Sequence, residues 1–472
     1  MSRRQAAFPI LSLALLLALL SGCSPVQRPL DRQLRAIVED PAAPLASLAV
    51  VVVAGDTIVD ESYWGQRTID AADPQRSRPV TPATKFRVAS LSKVATAIGA
   101  MQLADQGKLD LDADISKYLG FALRNPAYPD RPITARMLLS HTSSLRDAGF
   151  YNLPLPYTLR DLFEPDGAYY SNGAHFAASE GDADRGPGAF FTYANLNYGV
   201  LATVMEAASQ ERFDQYMARH LFGPLGIDAG FTAADLSDAG VRELAALYTK
   251  QDAQGVWDAQ GRWYAQVDDL HGVRPRPRPP ATGDASPTMA MHHKTSAKAP
   301  HLAAQPYAIG TNATIFAPHS GLRISARDLA KLMLLLLKGG RYGDRQILAP
   351  ATVNSMLHDA WHFDAQRWNG DPFHGRYRAW GLGLQHVTGA ADELGGDRLA
   401  AGSKEQFWGH RGEAYGLLGG MWFDPQREVG FVFLAGGIGD DPSAHYGTYS
   451  SAYSWEELIQ TAIIGEIDRV IN

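Results

Sequence analysis

The sequence predicts an α/β (α+β) fold: a sheet whose strands come from both ends of the chain, with a mainly helical lobe between them. Three observations carry that prediction. Leu48 to Ala54 is a Val-rich run, and after Gly55-Asp56 the chain returns as Thr57 to Trp64, which reads as a hairpin opening a sheet. From about Ser90 to Leu225 the apolar spacing becomes mainly helical. Tyr415 to Asp424 and Val429 to Gly437, on either side of Pro425-Gln426-Arg427, read as a second hairpin that closes the sheet from the C-terminal half. With 46% apolar and 20% charged residues in 472, the composition is that of an ordinary globular chain able to bury a large core.

Residues 1–22 read as an export signal: Arg3 and Arg4, an apolar run from Ala6 to Leu20, then Ser21 and Gly22 before Cys23. The run is shorter than the roughly 20 residues of a comfortable membrane span. Leu20-Ser21-Gly22-Cys23 resembles the lipobox of bacterial lipoproteins, which implies diacylation of Cys23, removal of the leader and acylation of the new amino terminus. Three acyl chains would hold firmly, because each buried methylene contributes about 0.8 kcal/mol. In a Gram-negative cell, Ser24 after the cysteine implies the periplasmic face of the outer membrane. Cys23 is the only cysteine, so no thiol is left for a disulfide, a cysteine zinc site or a nucleophile. Loss of Arg3 and Arg4 with the leader takes the formal net charge from −7 to −9, which argues against a nucleic-acid partner and a polybasic membrane patch.

Residues 23–44 are expected to be the lipidated cysteine and a tether, with an amphipathic stretch from Asp31 to Asp40 and breakers at Pro41 and Pro44. The domain is expected over 45–472, its helical lobe over about 95–320. Within that lobe residues 271–305, rich in Pro, His and Ala, read as a loop insertion without a catalytic role. Leu329 to Leu337 is an apolar helix ended by Gly339-Gly340. Ser454 with Glu457 three residues on reads as a capping box that starts a C-terminal helix.

Ser90-Leu91-Ser92-Lys93 opens a helix running through Val94, Ala97, Ile98 and Met101. Positions i and i+3 share a helix face, so the Ser90 hydroxyl and the Lys93 amine point into the same small volume. A serine is a weak nucleophile until a base takes its proton, and a desolvated lysine has a pKa suited to that task. Tyr193-Ala194-Asn195 offers a phenol that can shuttle a proton and an amide that can both donate and accept. His410-Arg411-Gly412 stands at the head of the second hairpin, where a glycine lets a substrate backbone approach and a neighbouring N–H can join an oxyanion hole.

In order and spacing these three elements resemble the penicillin-recognising serine hydrolases, which include class C β-lactamases, D,D-peptidases and esterase relatives and carry S-x-x-K, Y-x-N and a K-T-G or H-x-G strand. Phe86-Arg87-Val88-Ala89, Leu138 to Leu145, Pro224 to Ile227 and Gly321 to Leu329 extend the similarity over about Leu45 to Gly437. The resemblance implies an antiparallel sheet flanked by helices, with the active site between sheet and helical lobe. It implies Ser90 as the acylated nucleophile, Lys93 and Tyr193 as the general base and acid pair, and Asn195 as the binder of a substrate amide. His410 would replace the third-motif lysine, and the N–H groups of Ser90 and Glu413 would form the oxyanion hole, with Gly412 admitting the substrate. The His141 motif would be structural.

No metal or cofactor is expected: His292-His293 sits in the insertion, and no H-E-x-x-H occurs. Lys294-Thr295-Ser296 mimics K-T-G but lies in the same insertion. Arg411 stands where the family has threonine, and could itself bind a substrate carboxylate bidentately. The expected activity is hydrolysis of an ester or amide through an acyl-enzyme, on a small molecule or a peptidoglycan-like peptide, with at most weak β-lactamase action. The alternative is a catalytically idle lipoprotein that binds cell-wall fragments or a partner.

Overall fold

The computed structural model describes residues 28–179, 183–275, 307–402 and 406–471. The expected signal over residues 1–22, Cys23, most of the expected 271–305 insertion with His292, His293 and Lys294-Thr295-Ser296, and the first residues of the expected tether lie outside them. No helix among the described residues is long and apolar enough to cross a membrane.

A nine-stranded antiparallel sheet organises the described residues. Its strands are β1 (Ser47–Ala54), β2 (Thr57–Thr68), β3 (Arg78–Pro79), β4 (Trp361–His362), β5 (Ala379–Trp380), β6 (Gln385–Val387), β7 (Phe407–Ala414), β8 (Leu417–Asp424) and β9 (Val429–Ala435). They lie in the order β4-β5-β6-β7-β8-β9-β1-β2-β3, so the N-terminal hairpin is inserted against the last strand, with Leu48 opposite Ala435. Both faces are covered. Along β1, Ala49, Val51 and Val53 enter the core shared with the helical lobe, while Leu48, Val50 and Val52 enter a second core on the far face. A strand buried on both faces reads as an unbroken apolar run, and Leu48 to Ala54 is one.

The lobe side packs α2 (Ser92–Asp105), α3 (Leu196–Ser209) and α4 (Ala326–Leu337). The far side packs α1 (Pro29–Val38) beside α5 (Ser454–Ile471). Thus the amphipathic stretch expected in the tether is part of the fold: Leu30, Leu34 and Val38, one per turn, are buried against the sheet and α5. The packed structure begins near residue 29, ahead of Leu45. The stretch expected as helical lobe, about 95–320, also contains the short strands Leu247–Thr249 and Tyr264–Val267, which lie beyond the helical spacing that ends near Leu225.

Two further expectations are corrected. The third motif lies on β7, one strand earlier than expected, because Tyr415 and Gly416 both take positive φ and make a two-residue turn between β7 and β8. At the start of α5 the reciprocal bond comes from Glu456, whose carboxylate accepts from the Tyr453 N–H. Glu457 accepts instead from the backbone N–H groups of Thr448, Tyr449 and Ser450, pinning the loop before the helix.

Candidate active site

The nucleophile segment is positioned by a short 3-10 turn, Ala89–Leu91, that runs straight into α2. Ser92 fastens it, donating to the Ala89 carbonyl and accepting from the Leu322 N–H. Ser90 keeps partial access to solvent, whereas Lys93 one turn on is fully buried. Lys93 Nζ lies 3.0 Å from Ser90 Oγ, and also donates to Asn195 Oδ1 at 2.8 Å and to the His319 carbonyl at 3.1 Å. No carboxylate among the described residues is in contact with its amine. Burial therefore prevails over the attraction of Asp147 and pulls the amine down to about 7.

Tyr193 completes the centre. Its ring lies 4.9 Å from Lys93 Nζ and stacks on His141 at 4.5 Å and on Tyr377 at 5.3 Å. Burial holds its phenol well above the ordinary value, and a hydrogen bond with Ser90 works the other way. His141 has a structural place here: its Nδ1 faces the Ala194 N–H at 3.2 Å and the Asn197 amide at 3.1 Å, which locks the turn carrying Tyr193.

His410 and Gly412 face the lobe. His410 is buried, its Nδ1 lies 2.6 Å from the Arg411 carbonyl, and its ring meets Trp380 edge-on at 5.3 Å. A carbonyl only accepts, so Nδ1 carries the hydrogen and Nε2 offers a lone pair that no protein group among the described residues meets. Burial and the nearby Lys93 push this imidazole down to about 3, so it is neutral in the working range. Gly412 packs on the nucleophile turn so closely that a Cβ there would lie 2.5 Å from the Val88 carbonyl oxygen. β6 pairs with Phe407, Trp408 and Gly409 and then stops, and among the described residues no strand pairs with the edge of β7 beyond Gly409 on that side.

The structure does not bring Arg411 into the cleft. Alternation along β7 turns it to the far face, where it lies over Trp422 and donates to Glu456 of α5 at 2.9 Å. Asn195 is in the cleft, but both ends of its amide are engaged, Oδ1 by Lys93 and Nδ2 by Asp147 at 2.9 Å. The Glu413 carboxylate is half-exposed and held by the Tyr453 hydroxyl at 3.0 Å. Asp147 and the His319 carbonyl were not anticipated from sequence. An aspartate after Leu145-Arg146 carries no periodic or motif signal, and a carbonyl ligand carries none at all. No group of His, Cys, Asp and Glu that could hold a metal occurs among the described residues.

A serine, a buried amine and a tyrosine converging between a sheet and a helical lobe define the class of active-site serine hydrolases of the penicillin-recognising fold. The Beta-lactamase family profile matches residues 30–452, and the chain belongs to that family. It is 31% identical over 181 residues to the D-alanyl-D-alanine-carboxypeptidase/endopeptidase AmpH of Escherichia coli (strain K12), covering 38% of this chain and 43% of that one. It is 30% identical over 185 residues to penicillin-binding protein 4 of Amycolatopsis lactamdurans, covering 38% and 45%. The matched segment thus spans less than half the length of these relatives. The crystal structure of a D-stereospecific amidohydrolase from Streptomyces sp. superposes with a TM-score of 0.53 at 18% identity, covering 88% of this chain and 96% of that one, a likeness of fold.

Proposed function

We propose that the protein hydrolyses an ester or amide through an acyl-enzyme on Ser90, acting as an esterase or as a hydrolase of D-amino-acid peptides in preference to β-lactams. The observation that carries the reading is the fully buried Lys93 amine, 3.0 Å from Ser90 Oγ and poised near neutrality. Neutral Lys93 takes the Ser90 proton as Oγ attacks the substrate carbonyl. The oxyanion is received by the N–H groups of Ser90 and Glu413, a role that fits the start of a helix and an open strand edge. Collapse breaks the scissile bond, and the proton on Lys93 passes through Tyr193 to the departing alcohol or amine. Water then attacks acyl-Ser90, giving its proton to the same pair and releasing the acid. Such positioned proton transfer is worth about 10²–10⁴-fold.

The preference against β-lactams rests on charge. Arg411, the group that sequence offered for a substrate carboxylate, is committed to Glu456 on the far face, and His410, standing for the third-motif lysine, is neutral. The similarity to a D-alanyl-D-alanine-carboxypeptidase/endopeptidase supports a peptide substrate, and the same argument from charge favours a bond inside the peptide over the one next to its terminal carboxylate. We further propose export and lipid attachment at Cys23; labelling with a radioactive fatty acid that survives Cys23→Ser would overturn that assignment.

Intact-protein mass spectrometry tests the reaction. The wild type and Ser90→Ala are incubated with a fluorophosphonate, a p-nitrophenyl ester and a penicillin. Adducts on the wild type alone, with ester turnover outpacing penicillin turnover, are expected. A folded wild type that forms no adduct with any probe sinks the proposal and favours the idle, cell-wall-binding alternative.

A further inference from the structure

We propose that Asp147 is a positioning residue of this centre, acting through Asn195 to aim Lys93 at the nucleophile and to favour the charged form of that amine against burial. The inference rests on the serine-hydrolase reading and adds to it a residue that no catalytic motif of the sequence contains.

One continuous path joins the groups. Ser90 Oγ lies 3.0 Å from Lys93 Nζ, Lys93 Nζ donates to Asn195 Oδ1 at 2.8 Å, and Asn195 Nδ2 donates to Asp147 Oδ2 at 2.9 Å. The other carboxylate oxygen, Oδ1, accepts from the Leu196 N–H at 2.9 Å, which fixes Asp147 against the first turn of α3. An amide has one donating and one accepting end. Because a carboxylate can only accept, Asp147 forces the donor end of Asn195 toward itself and the acceptor end toward Lys93. Lys93 is thereby held as a donor to Asn195, with its Nζ within hydrogen-bond distance of Ser90 Oγ. No ion pair to Asp147 occurs among the described residues, so the cation it is coupled to is the one an amide away.

The surroundings do not supply that charge from elsewhere. Lys93 faces Ser90, Asn195, the rings of Tyr193 and Tyr198, and the imidazoles of His141, His319 and His410, each of which burial and Lys93 itself hold below the ordinary histidine value. Asp147 is felt by Tyr151, His175 and Tyr193, and the cation Arg87 acts on Tyr151 and His319. Among these only Asp147 is a carboxylate. Its charge opposes the desolvation of Lys93 and keeps the amine near neutrality, where a base both holds and releases a proton.

The test is Asp147→Asn, with kcat and kcat/KM for a p-nitrophenyl ester measured from pH 5 to 10. The new amide still accepts from the Leu196 N–H, but it presents N–H groups to Asn195, which must turn its own N–H groups toward Lys93. Both the lost charge and the turned amide disfavour the ammonium. The expected result is an acid limb of kcat/KM displaced to lower pH by about one unit, with a plateau kcat about tenfold lower. An acid limb that coincides with that of the wild type, the activity falling equally at every pH, overturns the inference. A limb reports only on folded enzyme, so a lower yield or melting temperature does not blur the outcome. Should Asp147→Asn not fold, Asp147→Glu keeps the charge: its limb is expected within a few tenths of a unit of the wild type, and a limb displaced downward overturns the inference. Failure of the wild type itself to acylate at Ser90 is a separate result, which removes the underlying reading.

Discussion

Lys93 is fitted to the proposed role of base by where it stands. The same side chain on a solvated helix would be an ammonium at every physiological pH; here the fold withdraws water and leaves it balanced near 7. Two consequences follow for measurement. Ester acylation should rise with pH through about 7 and level off above it, since only the neutral amine accepts the proton; a flat profile from pH 5 to 9 would exclude Lys93 as base. Lysine depressed from its unfolded value of 10.5 also opposes folding below about 7, and that penalty is relieved as pH rises toward 10.5. Lys93→Met, of similar shape and uncharged, should therefore lose acylation by about 10³-fold or more while melting no lower than the wild type at pH 7, as thermal denaturation can show. Ser90 and Lys93 were legible in sequence because their relation is local, three residues on one helix. The period of two along β7 was equally available, and it places Arg411 opposite His410. Asp147 was beyond reach, since its partner Asn195 is distant in the chain and nothing but the fold joins them.

Among the elements, β7 bears most on the site. Its misplacement by one strand in the sequence reading has a definite cause: Tyr415-Gly416 makes the tight turn without the Asn-Gly or Asp-Gly signature, so the hairpin was seen only at Pro425-Gln426-Arg427. The apolar runs of β1, β8 and β9 were clear because burial on both faces makes them continuous. The marginal strands β4, β5 and β6 were not, being two or three residues long and dependent on neighbours for their pairing. Gly412 tells why this strand can approach the nucleophile turn. Gly412→Ala would set a methyl 2.5 Å from the Val88 carbonyl oxygen, and backbone there cannot yield as a flexible side chain would. The change should destabilise by about 1–3 kcal/mol and depress acylation out of proportion to the fraction unfolded, a comparison of melting temperature with active-site titration.

At the scale of the molecule, a sheet flanked by helices was legible as a class, while its division of the core in two and the contribution of α1 were not, because Pro41 and Pro44 after α1 look like the end of a linker. Leu34 settles its status: it is fully buried between the sheet and α5. Leu34→Ala should cost about 2–5 kcal/mol, as a core truncation does, where the same change in a tether would leave the melting temperature untouched.

The pairing of Leu48 with Ala435 also sets an order of events in time. The sheet cannot close until almost the whole polypeptide exists, since its second-hairpin partner is made last. A ribosome-bound or partly translocated chain holds Ser90 and Lys93 from early on, yet neither the His319 carbonyl nor the β7 wall has arrived to strip water from the amine. Until then Lys93 is an ordinary ammonium and Ser90 an ordinary alcohol, so the reactivity proposed for this pair would arrive only with the closing of the sheet.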